Sequence, residues 1–343
     1  MTCFRGTLFL ALTRCSLAVV LGGVVIPHGD FAYDPTLVTN ATQIHAAAVH
    51  AGVIVTALQP DIVLLSTPHG MALDRDFLLY GNSEAAGFAM IGDDLHNESF
   101  PSYRIDLHAT LEPNVSSSIE SMARVSKLNV STLVTFADSE AEALRWGEVI
   151  PLSFLNATLN QTKVVVLSQP TRRYTEDTEM VPELLELGAR LYSHLHALPE
   201  RVVVLISSDL AHTHKADGPY GFSEAAAPFD AATVDWAETL DDQPLLDTAT
   251  GLVDDALSCG FTGLVLLHGL LTCDAAQGRK WRPELLAYAA PTYYGMLAAT
   301  FLEDEAMAPV QSGQSHLSQH RMPSDQDSQR RREARPFPFQ QKP

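Results

Sequence analysis

Cysteine is scarce in this chain. Its 343 residues include four, Cys3, Cys15, Cys259 and Cys273, which form neither a CxxC pair nor the spacing of a disulfide framework. A reducing compartment fits that usage, and the cytoplasm is the favoured location. Positive charge is short as well: 22 Lys and Arg stand against 41 Asp and Glu, for a formal net charge of −19. A nucleic-acid groove needs a basic surface to neutralise phosphates, so that class of partner is excluded. There is no GxGxxG or GxxxxGK phosphate loop and no GxSxG nucleophile elbow, which sets aside phosphoryl transfer and α/β-hydrolase chemistry. No apolar run is long enough to span a membrane.

What is present suits a globular body: 46% of residues are apolar and 18% charged, enough to bury a core in one large α/β domain or two small ones. The first residues, MTCFRGTLFLALTRCSLAVVLGG, carry two arginines, no acids and an apolar run of the kind found in targeting segments. Arg14 interrupts that run, and the apolar residues after it merge with the first core strand. Residues 1–20 are therefore read as an N-terminal extension or targeting segment. Six of the seven asparagines open an N-x-S/T motif. That pulls toward secretion and keeps secretory and organellar routes open. Beyond Met307 the chain turns to Ser, Gln, Arg and Pro and is too poor in apolar residues to offset the entropy of ordering. The expected layout is thus an extension (1–20), one α/β catalytic domain (21–307) and a disordered tail (308–343).

Strands and helices alternate along the body. Helices are expected over about Thr36–Leu58, Tyr103–Ser126 (split by Pro113), Thr178–Leu198 and Pro228–Leu240, with a further one from Pro244 to Leu257. The stretch from Met71 to His96 reads as a β-hairpin or meander. WGEVIPLSFLN around Pro151 and TKVVVLSQP read as strands, and WRPELLAYAAPTYYGMLAATFLE closes the fold with another. This pattern gives a three-layer α/β sandwich around a mixed, largely parallel central sheet. His45 and His50 lie five residues apart, a spacing that does not share a helical face, and are read with His194 and His196 as packing or surface residues.

Three stretches share one plan. DIVLLSTPHG is a short buried strand that delivers His69 to a loop; GGVVIPHGD does the same for His28, and RVVVLISSDLAHTH for His212. In open, mostly parallel sheets such strand ends line the crevice where ligands bind. Two neutral imidazoles with a third ligand hold a divalent transition metal, and a 2-His-1-carboxylate face suits non-haem Fe(II). The same histidines also suit plain hydrogen-bonded strand caps, and spacing alone leaves both readings open. Tyr220 and Phe222 in the following loop offer rings that could stack on a substrate or pack in the ordinary way.

The strings IPHGD (26–30), STPHG (66–70), SSDLAHTH (207–214) and Cys259-Gly260, in that order, resemble the LigB-like superfamily over about Gly22 to Phe301. That superfamily holds the class III extradiol ring-cleavage dioxygenases and the related Memo-type proteins. The resemblance implies His28 and His69 as metal ligands, His212 as acid and base, and Asp209 as a residue that orients the loop or a histidine. The dioxygenases supply a glutamate as third ligand, whereas the matching stretch VDDALSCGFTGLVLLHG has none. Memo-type relatives place a cysteine there, matched by Cys259, with Asp254 and Asp255 the nearest carboxylates in sequence. The implied activity is Fe(II)-dependent opening of a catechol-type ring with O2, the substrate being a small aromatic diol. The alternatives are a Memo-like metal- or partner-binding protein without ring cleavage, with copper, and a zinc-dependent hydrolase. Oligomeric state is left open, a homo-oligomer included.

Overall fold

A computed structural model of the chain describes residues 19–92, 102–137, 140–273 and 281–303. The tail expected to be disordered and nearly all of the N-terminal extension lie outside the described residues. The first strand, β1 (Val19–Ile26), starts just inside the segment assigned to the extension. Helix α1 (Asp30–Tyr33) and helix α2 (Thr42–Leu58) follow, then β2 (Ile62–Thr67), β3 (Phe77–Tyr80), β4 (Glu84–Ile91) and β5 (Tyr103–Thr110). Helix α3 (Pro113–Ser126) leads into β6 (Val130–Leu133) and β7 (Ala141–Leu144). Helices α4 (Trp146–Ser153) and α5 (Asn156–Leu159) precede β8 (Lys163–Ser168). Next come α6 (Val181–Leu195), β9 (Arg201–Ser207), α7 (Ala226–Thr239), a π-helical turn (Gln243–Ala249), α8 (Val253–Ala256) and α9 (Phe261–Thr272). Strands β10 (Trp281–Ala289) and β11 (Met296–Glu303) end the described chain.

Eight strands form one sheet in the order β10-β11-β1-β9-β2-β8-β3-β6, and β5-β4-β7 form a second. In the large sheet β1, β9, β2 and β8 run parallel in succession, while β11 against β1, β10 against β11 and β3 against β8 are antiparallel. The central strands are rows of Val, Ile and Leu because both faces are covered. Val202, Val204 and Ile206 point into a core shared with α3, α6, α7 and α9. Val203 and Leu205 point into the opposite core with α2, α4 and the small sheet. Each such side chain contributes about 1.5–3 kcal/mol on full burial. On the first face α6 and α9 approach closely at Gly188, where a Cβ would sit 2.2 Å from the Leu266 carbonyl oxygen. The three-layer α/β expectation is met.

Four local expectations are not. The described part of the 71–96 stretch, residues 71–92, is neither hairpin nor meander, because β3 joins the large sheet and β4 joins the small one; the rest lies outside the described residues. Tyr103–Thr110 is a strand rather than the start of a helix: Leu107 and Ala109 are buried while Arg104, Asp106 and His108 are exposed, a period of two. Pro113 then opens α3 instead of splitting a longer helix, since a first-turn proline loses no hydrogen bond. WGEVIPLS is helix α4, with Pro151 inside it. The closing segment is two strands, β10 and β11, paired antiparallel.

Candidate metal centre

Strands β1, β9 and β2 are neighbours and parallel, so their C-terminal ends emerge side by side. They deliver His28, Asp209 with His212, and His69 to one crevice. Cys259 arrives from the residue before the N-cap of α9, where the Gly260 N–H donates to the Asp209 carbonyl at 3.0 Å and the Ser258 hydroxyl donates to it at 3.2 Å. Ligand atoms of His28, His69 and Cys259 all lie within 4.8 Å of one another, as do those of Asp209, His212 and Cys259. The five residues singled out in the sequence are therefore brought together, with Cys259 common to both sets. The Asp209 carboxylate accepts the His28 backbone N–H at 3.2 Å and has its other oxygen 3.3 Å from His28 Nε2, yet it forms no triad with His69. The third corner beside the two histidines is the thiol, with Sγ 3.3 Å from His28 Nε2. Asp254 and Asp255 belong to neither set.

Hydrogen bonds fix which imidazole nitrogen is free. Pro151 has no N–H, so within α4 the carbonyl four residues back, that of Gly147, loses its helical donor. The Ser207 hydroxyl donates to that carbonyl at 2.6 Å. Its single proton is thereby used, and toward His28 Nδ1, 2.8 Å away, it can only accept. His28 thus carries its proton on Nδ1 and turns the Nε2 lone pair to the centre. His212 does likewise, with Nδ1 donating to the Leu257 carbonyl at 2.9 Å. Such outer partners orient metal-binding imidazoles and fix their tautomer. Gly147 also packs on His69 so closely that a Cβ would lie 2.8 Å from the His69 Cβ. Next to it the buried Glu148 accepts the Arg145 N–H at 2.8 Å and the Tyr80 hydroxyl at 3.2 Å, and the Tyr80 oxygen accepts the Met71 N–H at 2.8 Å. The turn carrying His69 is tied down through that chain.

Burial dominates the electrostatics. It pulls His28 well below the ordinary imidazole range, helped by His69, His212 and the Arg173 guanidinium. His69 falls to about 3 and His212 to about 4 for the same primary reason. All three are neutral at pH 7 and offer lone pairs. Cys259 is pushed up to about 12 by burial and the Asp209 carboxylate, with Arg173 opposing. It is a thiol until a metal displaces the proton. Two imidazole nitrogens and a sulfur facing one point fit a divalent transition ion, and the sulfur makes the set softer than two histidines with a carboxylate.

The crevice opens into a cavity of about 390 Å³ walled by Phe88, Trp146, Tyr220, Tyr293 and Tyr294. The Tyr294 ring stacks on His212 with centroids 5.7 Å apart, and Trp146 lies 5.1 Å from His69. Tyr220 lines the cavity, but Phe222 is not among its lining residues. His45 Nδ1 donates to the Ala32 carbonyl, His194 pairs with Ser118 and His196 stacks on Tyr192, as packing residues do. Sequence reasoning missed Ser207, the Arg145–Glu148 turn and Arg173, whose guanidinium donates to the Pro68 carbonyl at 2.7 Å. For Ser207 the signal was its place two residues before Asp209; for Arg173 there was none.

An α/β sheet with an imidazole and thiol cluster at its parallel strand ends defines a candidate metal-dependent enzyme. Residues 34–297 match the family described as the catalytic LigB subunit of aromatic ring-opening dioxygenase, and the chain belongs to that family. The match takes in His69, Asp209, His212 and Cys259 and begins after His28. Protein CA_C1420 of Clostridium acetobutylicum is 23% identical over 233 residues, which are 67% of this chain and 45% of that protein. The chain thus spans less than half of that relative's length. An uncharacterized protein, JW3007, of Escherichia coli K12 shares the fold, with a TM-score of 0.53 at 13% identity over 82% of this chain and 99% of the other.

Proposed function

We propose that the chain is a metal-dependent dioxygenase that opens the ring of a small aromatic diol with O2. His28, His69 and Cys259 hold the metal and His212 serves as acid and base. The observation that carries this is the meeting of three ligand atoms within 4.8 Å, two of them on histidines that line an aromatic-walled cavity. A metal held by His28, His69 and Cys259 would supply electron relay between the diol and oxygen. His212, neutral and with Nε2 free, takes a proton from a diol hydroxyl and returns it as the ring opens. Tyr294 stacks against it and limits rotation of the imidazole plane.

A second reading is favoured by Cys259 itself. A thiolate in the third position suits copper or another soft, redox-active ion, and a Memo-type metal-binding protein without ring cleavage uses the same residues. The two separate on one experiment: anaerobic loading with Fe(II), followed by oxygen uptake against a panel of catechols. Catechol-dependent uptake that falls about 10²–10⁴-fold in His212→Ala, with metal retained, supports the dioxygenase. Tight copper binding with no uptake from any catechol supports the second reading and removes the first. Zinc with ester or amide hydrolysis would remove both.

A further inference from the structure

Six of the seven asparagines, Asn40, Asn97, Asn114, Asn129, Asn156 and Asn160, open an Asn-x-Ser/Thr motif, and none has proline at x. Ser and Thr make up 49 of the 343 residues, so chance would give the motif to about one asparagine in seven. The enrichment is far beyond that. The fold sorts the asparagines in the same way. Asn40, Asn114, Asn129, Asn156 and Asn160 are all exposed, and Asn97 lies outside the described residues. Asn82, which opens no motif, has no exposed surface. Its Nδ2 donates to the carbonyls of Thr135, Ala137 and Glu140 at 3.1, 3.0 and 2.9 Å, and its Oδ1 accepts the Thr135 N–H at 3.0 Å. Among the described residues one asparagine is used by the core, and the other five are exposed.

We propose that the exposed asparagines are N-glycosylation sites. In that reaction the side-chain Nδ2 gives up one proton and bonds to the anomeric carbon of an oligosaccharide carried on a polyprenyl pyrophosphate. The bond from that carbon to the phosphate oxygen breaks, and the lipid pyrophosphate leaves. The substituted amide keeps one N–H, so Asn114 can still donate to Glu112 and Asn129 to Glu183, at the 3.1 and 3.0 Å seen in the fold. At three sites the motif's hydroxyl belongs to a buried residue and is held in native contacts: Ser116 donates to the Tyr80 carbonyl, Thr162 to the Pro60 carbonyl, and the Thr158 hydroxyl bonds that of Thr56 at 2.7 Å. Transfer therefore precedes folding, while the segment is still extended and the hydroxyl accessible. None of the five exposed asparagines lines the cavity above His28 and His69. The donor lipid is embedded in a membrane of the secretory route, so the proposal carries a location as well as a modification.

The test uses full-length protein isolated from the cells that make it. Peptides are treated, in heavy-oxygen water, with the amidase that cleaves the asparagine–sugar bond, which leaves a labelled aspartate at each released site. Label at one or more of Asn40, Asn114, Asn129, Asn156 and Asn160, with Asn82 unlabelled, is the expected result. Unmodified asparagine at all five overturns the proposal, as does label at Asn82.

Discussion

At the scale of single residues, the aim of His28 depends on a hydroxyl that touches neither metal nor substrate. Ser207 spends its proton on the Gly147 carbonyl and so holds His28 with Nδ1 protonated. Alanine at 207 leaves that carbonyl and Nδ1 without their shared partner and releases the tautomer. Ser207→Ala is expected to weaken metal binding about 10–100-fold, the usual cost of losing an outer partner of a ligating histidine, and Ser207→Thr to restore most of it. A chelator-competition titration reads the change. Equal affinity in the alanine variant would show that the hydroxyl is only a packing contact.

Among the elements, what was legible depended on whether sequence pattern or spatial company decided the outcome. The strand-then-histidine stretches at His28, His69 and His212 could be read because buried parallel strands are written as uninterrupted Val, Ile and Leu, and each ends at a recognisable loop. Their adjacency could not, since the order β1-β9-β2 is a property of the sheet rather than of any segment. Helix α4 was misread for a physical reason: Pro151 and the flanking Val149 and Ile150 argue against a helix locally, and packing in the core overrides them. The same proline frees the Gly147 carbonyl that Ser207 needs, so the residue that hid the helix also serves the site. In β5 the alternation of Arg104, Asp106 and His108 with Ile105, Leu107 and Ala109 was present in the sequence. A proline in such a stretch reads equally as an interruption or as a first-turn residue, and the fold makes Pro113 the latter.

For the whole molecule, the neutral imidazoles of the site link stability to pH. His69 and His212 titrate at about 3 and about 4 in the fold and His28 is lowered too, against about 6.5 in the unfolded chain. Between those values the unfolded state binds the extra protons, so their stabilisation is full above about 6.5 and is lost as pH falls toward the folded values. Glu148 and Asp177, raised by burial to about 7 and about 6, act in the opposite sense, because the folded carboxyl takes up its proton first. His194 and His268 are lowered by burial as well, so with five imidazoles against two carboxyls the Tm of the metal-free protein is expected to fall between pH 6.5 and 5; a Tm that stays level or rises contradicts this balance. The central claim, that residues far apart in sequence grip one ion, is tested most directly by titrating the metal-free protein anaerobically with cobalt(II) and following the thiolate-to-cobalt charge-transfer absorption. The expected result is a band that saturates at a single ion per chain, disappears in Cys259→Ser and fails to develop in His69→Ala. Undiminished cobalt affinity in His69→Ala, or cobalt bound by the native chain with no thiolate band, would contradict it.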